Sequence, residues 1–151
     1  MQIPLTSEEC ELVQICFAQV EPTVDRVAGL FYRRLFELDP TLEPLFKIDM
    51  TTQGRKFIET LAIAVKGLED LNSILPFVQA LGRRHVRYGV KVKDYDAVSE
   101  ALLWALEQQL GTAFRPDVRA AWSASLKALA NIMIEASGST LAPQEQANLN
   151  I

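Results

Sequence analysis

Histidine is nearly missing from this chain: of 151 residues, only His85 is one. Two imidazoles from the same chain therefore cannot meet on one metal. Cysteine is almost as scarce. Cys10 and Cys16 lie in one helical stretch, where 100° per residue turns them about 120° apart, so they are not expected to bridge within that helix. Their Cys-x5-Cys spacing has no second ligand pair beside it, and both are expected as free thiols in a reducing compartment. No run of 18 apolar residues occurs, which leaves no segment able to cross a membrane as a helix. The start, Met-Gln-Ile-Pro-Leu-Thr-Ser-Glu-Glu, has neither a basic region nor an apolar signal core, so a cytoplasmic location is expected. Positive charge is short as well. The net charge is −4 and the basic residues are scattered except for Arg83, Arg84 and Arg87, too little cationic surface to neutralise a nucleic-acid backbone.

What is present is an apolar half, 49% of the residues, in a length that suits one domain with one core. Helical punctuation runs throughout, and no strand-like alternation competes with it. Thr6-Ser7-Glu8-Glu9 reads as a capping box that opens a helix to about Val20. Pro22 fits the first turn of a second helix, to about Glu37, whose wide apolar face (Val24, Val27, Ala28, Leu30, Phe31, Tyr32, Leu35, Phe36) implies burial against more than one neighbour. Asp39-Pro40 starts a short helix ending near Phe46. Thr51 or Thr52 is expected to cap the next, with Gln53, Phe57, Leu61 and Ala64 at helical spacing. Asn72 or Ser73 should cap a further helix, with Pro76 in its first turn, passing through Phe77, Leu81 and His85. Asp94 should cap one carrying Tyr95, Val98, Leu102 and Leu106 to Gly111. Arg115-Pro116-Asp117 opens the last, with a stripe of Trp122, Leu126, Leu129, Ala130 and Met133, ended by Gly138. The expectation is an all-α single domain over 1–151, about seven helices, with its core in about 5–136 and a loosely ordered tail over 138–151.

Taken one by one, the candidate functional residues have ordinary readings. A histidine beside three arginines near a helix C-terminus is a solvated cation favoured by the helix dipole. Tyr32 and Gln53 are a core tyrosine and a surface glutamine, and Phe46 and Phe57 are core.

Their order and spacing say more. Phe31-Tyr32-Arg33-Arg34-Leu35-Phe36, then Asp39-Pro40 and Pro44-Leu45-Phe46, resembles the second helix and following corner of bacterial globins. Gly82-Arg83-Arg84-His85-Val86-Arg87-Tyr88-Gly89-Val90 resembles the proximal-histidine segment of that family, particularly its single-domain members. Tyr95, Val98 and Trp122 fall at the family's spacings. The resemblance, to bacterial haemoglobins and the globin domain of flavohaemoglobins, covers about residues 5–136. It implies a globin fold around one haem b, with His85 as the iron ligand and Tyr32 and Gln53 as the distal pair. Phe46, Phe57, Leu81, Arg84, Val90, Tyr95 and Val98 would line the cofactor. No flavin or nicotinamide motif follows, so the reductase half of a flavohaemoglobin is expected to be missing.

The chemistry implied is specific. Neutral imidazole supplies the strong proximal ligand, and its other N–H needs an acceptor, for which the Leu81 carbonyl is the candidate. A tyrosine hydroxyl and an amide stabilise dioxygen as it gains negative charge, by about 1.5–3 kcal/mol. Arginines near His85, Arg84 among them, can pair with the haem propionates. Flavohaemoglobins carry a glutamate beside the proximal histidine. Here Ser137 falls at that place, and Glu135 should face elsewhere. The resemblance therefore implies reversible binding of O2, CO and NO for oxygen storage or transport rather than an enzyme, in a monomer or weak homodimer. The alternatives are an NO dioxygenase served by a separate reductase and a gas sensor acting through a partner.

Overall fold

The computed structural model describes residues 5–46 and 49–138, so the tail expected over 138–151 lies, beyond Gly138, outside the described residues. Among the described residues six α-helices run in order: α1 Ser7–Val20, α2 Val24–Leu38, α3 Met50–Lys66, α4 Leu71–Arg87, α5 Asp94–Leu110 and α6 Pro116–Ala136. The expected short helix after Asp39 is a tight 3-10 turn, Pro40–Leu45, with Pro44 inside it. Counting that turn, the all-α expectation of about seven helices holds, and no strand occurs among the described residues.

Local chemistry explains most boundaries. Thr6 Oγ1 accepts from the Glu9 amide at 3.0 Å while Glu9 Oε1 accepts from the Thr6 amide at 2.9 Å, a complete capping box. Pro116 occupies the first turn of α6, where it lacks only a donor the helix cannot use. Gly138, at φ 88°, follows the end of α6.

Four starts differ from expectation. Pro22 lies in a separate 3-10 turn, Glu21–Thr23, ahead of α2 rather than in its first turn. Neither Thr51 nor Thr52 caps α3; the Asp49 carboxylate does, accepting from the Thr52 amide at 3.1 Å. A carboxylate outcompetes a hydroxyl there because it also meets the positive end of the helix dipole. Asn72 and Ser73 lie inside α4, since a 3-10 turn, Leu68–Asp70, winds directly into it; Ser73 instead donates to the Asp70 carbonyl. Pro76 consequently sits inside α4 rather than in its first turn, leaving the Asn72 carbonyl without its helical donor. Asp94 begins α5, but its carboxylate accepts from the Lys91 amide at 2.8 Å and so closes the preceding turn.

The helices pack chiefly as α2 on α5, α4 on α6, α1 on α6 and α2 on α3. Trp122, Phe31, Leu35, Leu102, Leu106 and Ile132 are the bulkiest fully buried side chains at these crossings. The α4–α6 crossing is close enough that a Cβ at Gly82 would stand 2.4 Å from the Met133 carbonyl oxygen and 2.6 Å from its Cα. By contrast α3 and α4, though consecutive in the chain, scarcely touch. Most of the candidate functional residues lie on these two helices and on the neighbouring α2 and α5.

Candidate functional site

One wall belongs to α2, the corner after it, and α3. Tyr32 lies on the buried face of α2, 6% exposed. Its ring meets Phe46 edge-on at 5.3 Å and Phe57 edge-on at 6.0 Å. Phe31 stacks on Phe57 at 4.4 Å, and Phe36 meets Phe46 at 5.5 Å. Edge-to-face and stacked rings of this kind hold one another's orientation beyond simple area burial.

Gln53, on the first turns of α3, donates from Nε2 to the Tyr32 hydroxyl oxygen at 3.3 Å. Because that oxygen acts as acceptor, the tyrosine's own O–H remains available to donate to a third group. Burial pushes the Tyr32 hydroxyl up to about 12, with the Gln53 bond pulling the other way. The phenol therefore stays protonated, as a donor must.

A second wall belongs to α4 and α5. Burial, and secondarily the Arg84 charge, lower His85 to about 4, so the imidazole is neutral and able to give a lone pair to a metal. No carboxylate contributes to that shift. Nδ1 lies 3.5 Å from the Tyr95 hydroxyl, the rings 6.1 Å apart. This is where the expected partner differs: the side-chain contact of Nδ1 is Tyr95, on the next helix, not the Leu81 carbonyl. Burial pushes Tyr95 up to about 12, helped by the Asp94 carboxylate. Among the described residues the other nitrogen, Nε2, has no hydrogen-bond partner.

The remaining expected residues fall around these two walls. Phe77 and Leu81 of α4 and Val98 of α5 are apolar and half-buried. The Val90 amide donates to the His85 carbonyl at 2.9 Å, bending the chain back through Gly89 at φ 93°. Arg84 is half-buried and makes no ion pair among the described residues. Ser137 spends its hydroxyl on its own helix, donating to the Ile134 carbonyl at 2.7 Å, and Glu135 is exposed. No hydrogen bond or ring contact joins the Tyr32 wall to the His85 wall among the described residues.

Two contributors escaped the sequence reading. Phe31 passes there as ordinary apolar face, yet it carries Phe57 by stacking. Asp94 passes as a helix cap, yet it fastens the turn that delivers Tyr95 to His85. A Lys-x-x-Asp turn directly ahead of Tyr95 is the signal that could have shown the second.

Comparison with known proteins adds an independent line. The globin family model matches residues 29–133. A flavohemoprotein of Bacillus subtilis (strain 168) is 27% identical over 135 residues, covering 86% of this chain and 33% of that protein. A flavohemoprotein of Vibrio cholerae is 25% identical over 146 residues, covering 95% and 37%. The chain thus spans about a third of the length of these curated relatives. A bacterial globin from Campylobacter jejuni shares the fold, with a TM-score of 0.79 at 22% identity over 89% of this chain and 98% of that one.

Proposed function

This chain belongs to the globin family, and from that premise we propose that it holds haem b through His85 and binds diatomic gases, dioxygen foremost, for storage or transport. The observation that carries the reading is a pair of unlike walls, one on α2 and α3 and the other on α4 and α5, at helices α3 and α4 that scarcely touch. One wall holds a neutral imidazole whose Nε2 has no hydrogen-bond partner among the described residues; the other holds a protonated phenol whose O–H donates to none of them. A polar donor set bedded in aromatic rings and half-buried aliphatics suits a flat apolar cofactor with a reactive centre.

When bound, haem would supply an iron able to take a diatomic gas in addition to one protein ligand. His85 provides that ligand, and Tyr95 restrains its ring through Nδ1. Tyr32 donates toward the gas, while Gln53 fixes the phenol by donating to its oxygen. Phe46 and Phe57 exclude water and hold Tyr32 in place. Leu81, Val90 and Val98 line the apolar edge, and Arg84 is the cation available to a propionate.

A second reading, NO dioxygenation, draws on the flavohemoprotein relatives. It requires repeated delivery of electrons by a separate reductase, which makes it a side activity in this proposal. No helix among the described residues is long and apolar enough to cross a membrane, and the reading places the protein in the cytoplasm. The test is the absorption spectrum of the purified protein, oxidised, reduced, and reduced under CO or O2. A five-coordinate ferrous spectrum that shifts with each gas is expected; absence of a haem band rejects the proposal. Nitrate yield under repeated NO additions separates the two readings. One equivalent per haem, then arrest, is expected; sustained turnover with a co-purifying reductase makes the protein an enzyme.

A further inference from the structure

The 23 residues from Leu71 to Lys93 form the longest stretch of the chain without a carboxylate, and five cations gather at its end: Arg83, Arg84, Arg87, Lys91 and Lys93. The ten other basic residues stand against all nineteen acidic ones, so this segment carries +5 in a chain whose remainder carries −9.

Arg83, Arg87, Lys91 and Lys93 are exposed. Lys93 lies 3.9 Å from Asp39; the others make no ion pair among the described residues. Two exposed carboxylates border the segment: Glu43, on the neighbouring corner that touches Gly89 through Leu45, and Asp96, in the first turn of α5; Asp94 beside it is buried.

Cations in the last turn of a helix are common, because the dipole favours them. Here the charge continues beyond α4 onto the connecting loop at Lys91 and Lys93, where that reason lapses. Two apolar side chains also stand among the cations: Tyr88 is 60% exposed and Val92 56%. Arginine with an exposed tyrosine is the composition of an interface centre rather than of a solvated face. Finally, the corner is fastened to the iron ligand of the proposed function, because the amides of Tyr88 and Val90 both donate to the His85 carbonyl.

We propose that the corner formed by Arg83, Arg87, Tyr88, Lys91, Val92 and Lys93 is the docking surface for an acidic protein electron donor. The inference rests on the haem reading above. Cations beside the ligand steer a negatively charged donor to the edge of the site, and Tyr88 and Val92 supply the apolar contact that holds it. One electron leaves the donor's reduced flavin and the protein passes from the ferric to the ferrous form, with no bond made or broken. An anionic membrane would meet the same charge, but two isolated apolar side chains do not make the broad apolar face that lies in a bilayer surface.

The test measures reduction of the ferric holoprotein by reduced flavodoxin, a strongly acidic flavin protein, by stopped flow at low and high salt. The wild-type rate should fall about tenfold or more as salt rises. Lys91→Glu/Lys93→Glu should be slower by about tenfold at low salt and equal to wild type at high salt. Tyr88→Ala should be slower at both. Arg119→Glu/Lys127→Glu makes the same change of charge on the exposed side of α6 and should stay within about twofold of wild type. Reduction by dithionite should be the same for all. Equal slowing in both double variants, or in neither, overturns the proposal. So does binding of phosphatidylserine vesicles that Lys91→Glu/Lys93→Glu abolishes while the flavodoxin rates stay unchanged. A preparation without a haem band rejects the haem reading instead. Docking is then judged by calorimetric titration of the chain with flavodoxin at low salt, where binding lost in Lys91→Glu/Lys93→Glu supports the surface and binding that persists unchanged rejects it.

Discussion

Around Tyr32 four phenylalanines from α2, the following corner and α3 interlock, and one amide pins the phenol oxygen. Around His85 a single tyrosine at 3.5 Å provides the only side-chain polar contact among the described residues, and α4, which carries His85, is set by a backbone crossing at Gly82. The first wall is a side-chain assembly, with its precision spread over many contacts. The second is a backbone assembly, whose precision depends on where α4 lies against α6. A lost contact on the first wall should be felt gradually, and a lost element of the second abruptly.

The largest expected effect follows from the second wall's single anchor. His85→Ala should abolish stable haem uptake, seen as loss of the Soret band per mole of protein, and His85→Gly should regain it with added imidazole. Full retention with an unchanged spectrum in His85→Ala would remove His85 from the site.

Gly82→Ala tests the backbone crossing. The new methyl meets main-chain atoms of Met133, which cannot rotate away, so a loss of about 1–3 kcal/mol in urea unfolding is expected. Gly54→Ala, on the first wall, brings its methyl to 3.1 Å of the Ala28 Cβ and should cost less. The reverse order would show that the two walls do not differ in this way.

Next come the donors. Tyr32→Phe and Gln53→Leu should each speed O2 dissociation, by roughly tenfold, the lower end of a hydrogen bond to a charged group. The double variant should fall short of the product, because a pair in direct contact couples. CO dissociation should change less. Equal effects on both gases would point to a steric gate formed by the aromatic rings.

Ser137→Glu should have the smallest effect, a severalfold gain in peroxidase rate, since a carboxylate near the proximal imidazole raises its electron donation. No gain would mean that α6 does not bring residue 137 to His85.

How much of this was legible in the residues depended on distance along the chain. The Thr6–Glu9 capping box is a contact across three residues, and its pattern sufficed. The start of α3 is not legible locally because three oxygen-bearing side chains within four residues, Asp49, Thr51 and Thr52, compete for one cap, and only the folded backbone decides among them. The Nδ1 partner of His85 was assigned to Leu81, which is local, whereas the structure brings Tyr95 across from α5. Nothing around Gly82 distinguishes it from a helix-interior glycine, because its reason lies on α6. The pairing of Tyr32 with Gln53 spans 21 residues, and only the resemblance to bacterial globins, not periodicity, put them together beforehand.

The two cysteines of α1 give this fold an internal clock. Cys10 and Cys16 are both buried, and burial first of all raises both thiols, with the Glu69 and Glu9 charges adding to the effect at Cys10. A protonated thiol without access to solvent reacts with a labelling reagent only while the helix is detached. Cys10 lies beside the capped start of α1, and Cys16 lies deeper, against Trp122 of α6. Labelling at Cys10 therefore times fraying of that first turn, and labelling at Cys16 times separation of α1 from α6. The interval between the two rates measures how far α1 frays from its first turn before it leaves α6.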